Sequence, residues 1–225
     1  MDDQLTLTPY FIISKIDGNK ALVWFAPQDS LNKDVIVYLY YGNSNAKSIS
    51  SWKNVFELYD RFDSFSEDLW TYAETRYGFN HDQSSTVYYS ADHSHRLFLP
   101  GATATFPGDF CRIYNTQSLQ AQGYLLSLYV RDSQTSPSPS GYHQKRVYLG
   151  GELVYVDDVA GDEGWVKIAV TKTFNQPGIY TVELKLHETQ GVTNYPVSIF
   201  FDDVFFRKYV SPEPFISKVH DEETS

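Results

Sequence analysis

The sequence predicts an all-β chain: a jelly-roll β-sandwich preceded by a small β hairpin or partial β domain. Aromatic residues make up 16% of the chain, with 18 Tyr and 15 Phe against one Met, a balance that favours strands over helices. Short runs of alternating apolar and polar residues recur between clusters of Gly, Pro, Asn and Ser, the pattern of a sandwich. A chain of 225 residues buries a sizeable core without metal or disulfide. Its single cysteine, Cys111, excludes an internal disulfide, and the flanking Phe110 and Ile113 place it as a small buried side chain on a strand.

The elements are taken in chain order. Lys20 to Phe25 and Asp34 to Tyr41 read as two strands, a hairpin or a neighbouring pair, separated by the turn formers Pro27 to Asn32. Asp34 to Tyr41 is apolar on both faces, which predicts cover on both sides. Gly42 to Asn45 breaks it, and the polar stretch Ala46 to Asn54 reads as a linker or short helix. The predicted organisation is therefore 1–55 as the partial domain, 56–209 as the sandwich and 210–225 as a solvated acidic tail. Within the sandwich, Tyr180 to Leu186 alternates most cleanly: Tyr180, Val182, Leu184 and Leu186 share the core face, while Thr181, Glu183 and Lys185 face water. Further runs are Val87 to Tyr89, Tyr124 to Arg131, Val147 to Leu149, Leu153 to Val156, Val166 to Val170 and Val197 to Arg207, bounded by turns such as Pro100-Gly101 and Gly150-Gly151. Roughly eight strands fit one jelly roll. Ser133 to Ser140, rich in Ser and Pro, reads as a long exposed loop.

The formal net charge of −10 repels polyanions, so nucleic acid is excluded as a partner. No run of about eighteen apolar residues occurs, so no helix inserts in a membrane. The start, Met1-Asp2-Asp3-Gln4, is acidic where an export signal is basic and then apolar. Enzyme signatures are lacking: there is no Gly-x-Ser-x-Gly, no phosphate-cradling Gly-rich loop and no His-Glu-x-x-His. Asp157-Asp158 and Asp162-Glu163 flank Gly161 and read as hairpin-loop acids rather than an acid/base pair. The expectation is that the chain is not an enzyme.

Two segments carry resemblances. The ending Val37-Tyr38-Leu39-Tyr40-Tyr41-Gly42-Asn43, preceded by Lys20 to Phe25 and followed by Phe56-Glu57-Leu58-Tyr59-Asp60-Arg61-Phe62-Asp63, resembles the C-terminal part of a domain of unknown function from archaeal and bacterial surface proteins. The remainder, through Phe62-Asp63, Trp70, Gly123 to Val130, Gly164-Trp165-Val166, Gly178-Ile179-Tyr180 and Phe201-Asp202-Asp203-Val204, resembles carbohydrate-binding modules of the family 4 and 9 type, which are galactose-binding-like jelly rolls. These resemblances imply a non-catalytic module at the cell surface or outside the cell, binding a neutral glycan or a protein neighbour. The rival expectation is a structural subunit of an assembly, such as an archaeal virion vertex or cell-surface layer, which a native start at Met1 favours. Either role admits an oligomer.

A structural calcium is the cofactor that the resemblance implies. Asp63 and Asp203 match the positions that hold an ion in those modules, with Asp60 and Asp202 beside them as further hard oxygen donors. The competing expectation is charge pairing, with Arg61, Arg207 or Lys208 neutralising Asp203 in an apolar neighbourhood set by Phe201 and Phe205. Sugar binding requires flat aromatic faces and a few hydrogen-bonding groups. The candidates are Tyr142, Trp70, Tyr72 and Tyr77, with Tyr88, Tyr89, Tyr129 and Trp165 behind them; Tyr142, beside the Ser/Pro loop, is the best exposed, and Trp165 reads as core. His93 and His95, with His81 and Asp92 nearby, read as a solvated pair in a loop rather than a zinc site.

Overall fold

The computed structural model describes residues 7–16, 20–26, 36–37, 45, 48–76, 78–90, 92–101, 104–132, 141–159, 161–191 and 196–213. The chain divides into two compact units, Met1–Phe56 with Tyr209–Ser225, and Glu57–Lys208. In the first unit β1 (Tyr10–Ile16) and β2 (Lys20–Phe25) form an antiparallel hairpin. Phe56 packs edge-on against Trp24 and Phe11, with ring centroids 5.5 and 6.2 Å away. Among the described residues, the partner of Lys20 to Phe25 is the preceding strand Tyr10–Ile16. The second expected strand, Asp34 to Tyr41, lies outside the described residues apart from Ile36 and Val37, which are exposed. Within the stretch expected as a linker or short helix, Trp52–Asn54 makes one turn of 3₁₀ helix.

The second unit is an all-β sandwich of two antiparallel sheets. One sheet runs in the order β10 (Glu152–Asp158), β9 (His143–Leu149), β12 (Gly178–Glu188), β7 (Phe110–Leu119), β4 (Thr71–Glu74). The other runs β11 (Val166–Thr173), β8 (Gly123–Asp132), β13 (Val197–Lys208), β6 (Ser94–Leu99), β5 (Asn80–Ser84), and β3 (Leu58–Asp60) also pairs with β13. Strand β12 is the middle strand of its sheet, and its alternation is as expected: Val182, Leu184 and Leu186 are buried. They belong to one core with Leu126, Leu128, Val130, Phe201, Val204 and Phe206, and Cys111 is buried there too. Val87 to Tyr89 is a bend rather than a strand.

Two local backbone features shape this unit. Gly150 and Gly151 have φ of 60° and 82°, the pair of left-handed conformations of a two-residue hairpin turn joining β9 to β10. A Cβ at Gly150 would also lie 2.6 Å from the Phe174 ring. In β13 the register against β8 slips between Asp202 and Phe205, which is a β-bulge. Asp203 occupies it with φ of 48°, an uncommon conformation for a side-chain-bearing residue.

Candidate functional site

The bulge alters the reading of the aspartates. Phe205 pairs with Ser127 and turns to the outer side, its ring against Tyr59 at 5.2 Å, while Val204 and Phe206 take the core. Asp203 therefore does not share a face with Phe201 and Phe205, because the extra residue resets the alternation. Each acid finds protein donors instead. Asp60 accepts the Phe62 amide at 2.7 Å and the Trp70 indole at 2.6 Å. Asp202 accepts the amides of Tyr89, Ser90 and Asp203 at 2.7, 3.1 and 2.7 Å. The Ser90 hydroxyl donates to Asp203 at 2.6 Å, and the Arg61 guanidinium stands 3.5 Å from the same oxygen. Burial pushes Asp60 up to about 6 and Asp202 up to about 7 despite these donors, and raises Asp203 as well.

Asp63 is exposed. Among the described residues no three His, Cys, Asp or Glu side chains gather closely enough to hold a metal ion. Asp60, Asp202 and Asp203 are turned to N–H and O–H donors, which does not fit a calcium shell built on them. The basic partner at Asp203 is Arg61.

The outer face of the five-stranded sheet is organised differently. Tyr114 on β7, Glu183 on β12 and Tyr148 on β9 lie directly opposite one another across three strands, so the two phenols flank the acid about 10 Å apart by strand spacing. The next row holds Arg112, Lys185 and Arg146. Arg112 pairs with Glu183 and lies over the Tyr114 ring at 4.8 Å. Lys185 reaches the other Glu183 oxygen at 2.8 Å while its ammonium sits 4.1 Å from the Phe110 ring centre and 4.8 Å from that of Tyr148. Glu183 is consequently only 8% exposed although it faces outward. Gln144 takes the Arg146 guanidinium at 2.6 Å and donates to Asp158 at 3.2 Å.

An open depression of about 500 Å³ lies on this face, lined by Tyr114, Tyr148, Tyr180, Ile179, Arg112 and Glu183 among others. Planar rings and fixed hydrogen-bonding groups thus share one accessible surface, the combination that holds a polyhydroxylated ligand.

The aromatic candidates named from the sequence scatter. Trp70 is 1% exposed and stacks on Phe62 at 5.7 Å, so it is a core residue and no platform; its indole N–H is committed to Asp60. Tyr72 alternates to the inner side of β4 and stacks on His81 at 4.1 Å. Tyr77 lies outside the described residues. Tyr142, half-buried at the start of β9, does not line the depression.

Tyr88 and Tyr89 are each 45% exposed. Tyr89 stacks on Tyr129 at 3.5 Å with Trp165 edge-on at 6.0 Å, which places Trp165 in a half-buried surface cluster rather than the core. His95 is not solvated: it is fully buried on β6, stacked on Phe65 at 4.6 Å and close to His81 at 5.3 Å. Tyr114, Tyr148 and Glu183 carry no ligand signature in the sequence, and only the strand pairing places them together.

Residues 1–73 match the model of a domain of unknown function, DUF2341. No curated protein matches the chain. Among solved structures, the chain is similar to TmCBM61 in complex with β-1,4-galactotriose, at 10% identity and a TM-score of 0.44 over 62% of this chain and 88% of that one. It is similar to the C-terminal family 22 carbohydrate-binding module of Clostridium thermocellum Xyn10B, at 13% and 0.44 over 69% and 95%. A family 4 module aligns at 11% and 0.38 over 64% and 96%. At such scores no residue correspondence carries over.

Proposed function

We propose that the sandwich is a non-catalytic glycan-binding module of a cell-surface or extracellular protein, and that a neutral glycan lies on the outer face of its five-stranded sheet. The observation that carries this reading is the row Tyr114, Glu183, Tyr148 bordering the open depression. Apolar faces of sugar rings stack on phenols, while hydroxyls meet Glu183, Arg112 and the Thr181 side chain at the rim. The cations of this face already have acid, amide or ring partners, which favours an uncharged ligand. Each ring contributes about 0.5–1.5 kcal/mol, so single-site affinity is weak and display in several copies strengthens it.

A glycan array probed with a clustered form of the chain tests the proposal. Tyr114→Ala and Tyr148→Ala are each expected to weaken the hits about three- to tenfold, the equivalent of one stacked ring, with an unchanged melting temperature. Edge strand β10 exposes Leu153 and Val156, at 41% and 46%, which favours a second reading, a subunit that packs against neighbours. A blank array together with ordered oligomers in light scattering would move the assignment there.

A further inference from the structure

Lys145 is a lysine in a core position. On β9 His143, Lys145, Val147 and Leu149 all point inward and are buried, and Lys145 is 1% exposed. A buried ammonium is costly unless it is paired, and two carboxylates receive it. Asp132, the last residue of β8 in the opposite sheet and fully buried, has Oδ2 3.1 Å from the Lys145 Nζ. Asp157, the cross-strand neighbour of Lys145 on β10, has Oδ2 2.9 Å from the same nitrogen. The two acids differ in a way that matters chemically. Asp132 is sealed from water and its Oδ1 has no hydrogen-bond partner. The Asp157 side chain is 37% exposed and also accepts the Tyr155 hydroxyl at 3.2 Å.

We propose that Lys145 and Asp132 condense into an intramolecular isopeptide bond, with Asp157 carrying the protons. The amine stands 3.1 Å from a carboxylate oxygen of the acid, within the reach of a near-attack pair. Transfer of a proton from the ammonium to Asp157 frees the Nζ lone pair, which attacks Cγ of Asp132. Asp157 then returns that proton to the departing oxygen, the attacking nitrogen gives up a second proton to the same oxygen by way of Asp157, the C–O bond breaks, and water leaves on the side where Asp157 meets solvent. One ammonium and one carboxylate become one amide and one water, so no oxidant or co-reactant is required. The product removes both buried charges. It also ties β9 of one sheet to β8 of the other, closing a ring over residues 132–145.

The test is the mass of the full chain, denatured after purification from the folded state. The expected value is lower than that calculated from the sequence by one water, about 18 Da, since amide formation expels one. Asp132 and Lys145 both lie in the tryptic segment 132–146, which should appear uncleaved after Lys145 and lighter by the same amount. Lys145→Arg is expected to restore the full mass, whereas dehydration of Asp132 onto its own backbone would leave that variant light and refute the bond. Asp157→Asn is expected to leave folded chain at full mass or to slow the loss of water. Wild-type protein at full calculated mass after prolonged incubation in the folded state overturns the proposal and leaves Lys145 as an ion-pair residue.

Discussion

One buried imidazole should oppose this fold in acid. His95 is 0% exposed, neither ring nitrogen has a hydrogen-bond partner, and rings of Phe62, Phe65 and His81 surround it. Burial, aided by the repulsion of His81, pushes it down to about 3. The unfolded chain therefore binds a proton near pH 6.5 that the folded chain refuses, so stability is full above that pH and falls as the pH drops toward 3. For one such group the loss between pH 7 and pH 5 is about 2 kcal/mol, at 1.36 kcal/mol per unit once the unfolded imidazole is charged.

Other groups titrate across the same range. His187, lowered to about 4 by burial and by Arg146 and Lys185, acts in the same direction. Asp60 and Asp202, raised by burial, act in the opposite one, since their contribution is present at low pH and lost as the pH rises through about 6 and 7. The comparison must therefore be between variants. His95→Phe keeps a flat ring against Phe65 and removes the titration. Urea unfolding of both proteins at pH 7 and pH 5 should show wild type losing about 2 kcal/mol more than the variant over that interval. Equal losses would mean that His95 is protonated in the folded state and that its surroundings are wetter than the packing shows.

Two further expectations concern the core and the acids. Leu184→Ala, at the centre of β12 between Ile113 and Val147 and 0% exposed, should cost about 2–5 kcal/mol in denaturant unfolding, and a change within error would remove β12 from the core. Millimolar-scale calcium and chelator should give the same melting temperature, because the carboxylates of Asp60, Asp202 and Asp203 already hold protein donors. A chelator-reversible rise that Asp203→Asn abolishes would show that an ion displaces those donors.

The fold was legible wherever burial and alternation coincide. Strands β8, β10, β11, β12 and β13 stand within a few residues of where their apolar periods place them, and the Gly150-Gly151 turn marks the β9 hairpin. Other strands were obscured by their polar residues. Strand β7 sets Asn115 and Gln117 on the face that carries Cys111, Ile113 and Leu119, and β5 is Asn-His-Asp-Gln-Ser throughout, so neither shows a clean period of two. Their pairing partners, β12 and β6, make them strands, a tertiary effect that composition does not contain.

The candidate site was harder to see for a related reason. In an aromatic-rich chain the sequence cannot tell a ring that fills the core from one that faces water, and Trp70 and Tyr148 show both outcomes. The sorting depends on strand register, since one residue of slip exchanges the faces. The bulge at Asp203 supplies such a slip within a single strand: Phe201 is buried, whereas Phe205, four residues later, lies on the other side. Glu183 illustrates the complementary point. Alternation assigns it correctly to the outer face, yet only the arrival of Arg112 from β7 and Lys185 from its own strand turns a solvated acid into a buried, fixed hydrogen-bonding group between two phenols. Rigid placement of that kind reduces the ordering cost of binding. The site thus resides in cross-strand neighbours far apart in the chain, and a double-mutant cycle between Glu183→Gln and Arg112→Gln is the direct measure of how strongly they act as a unit.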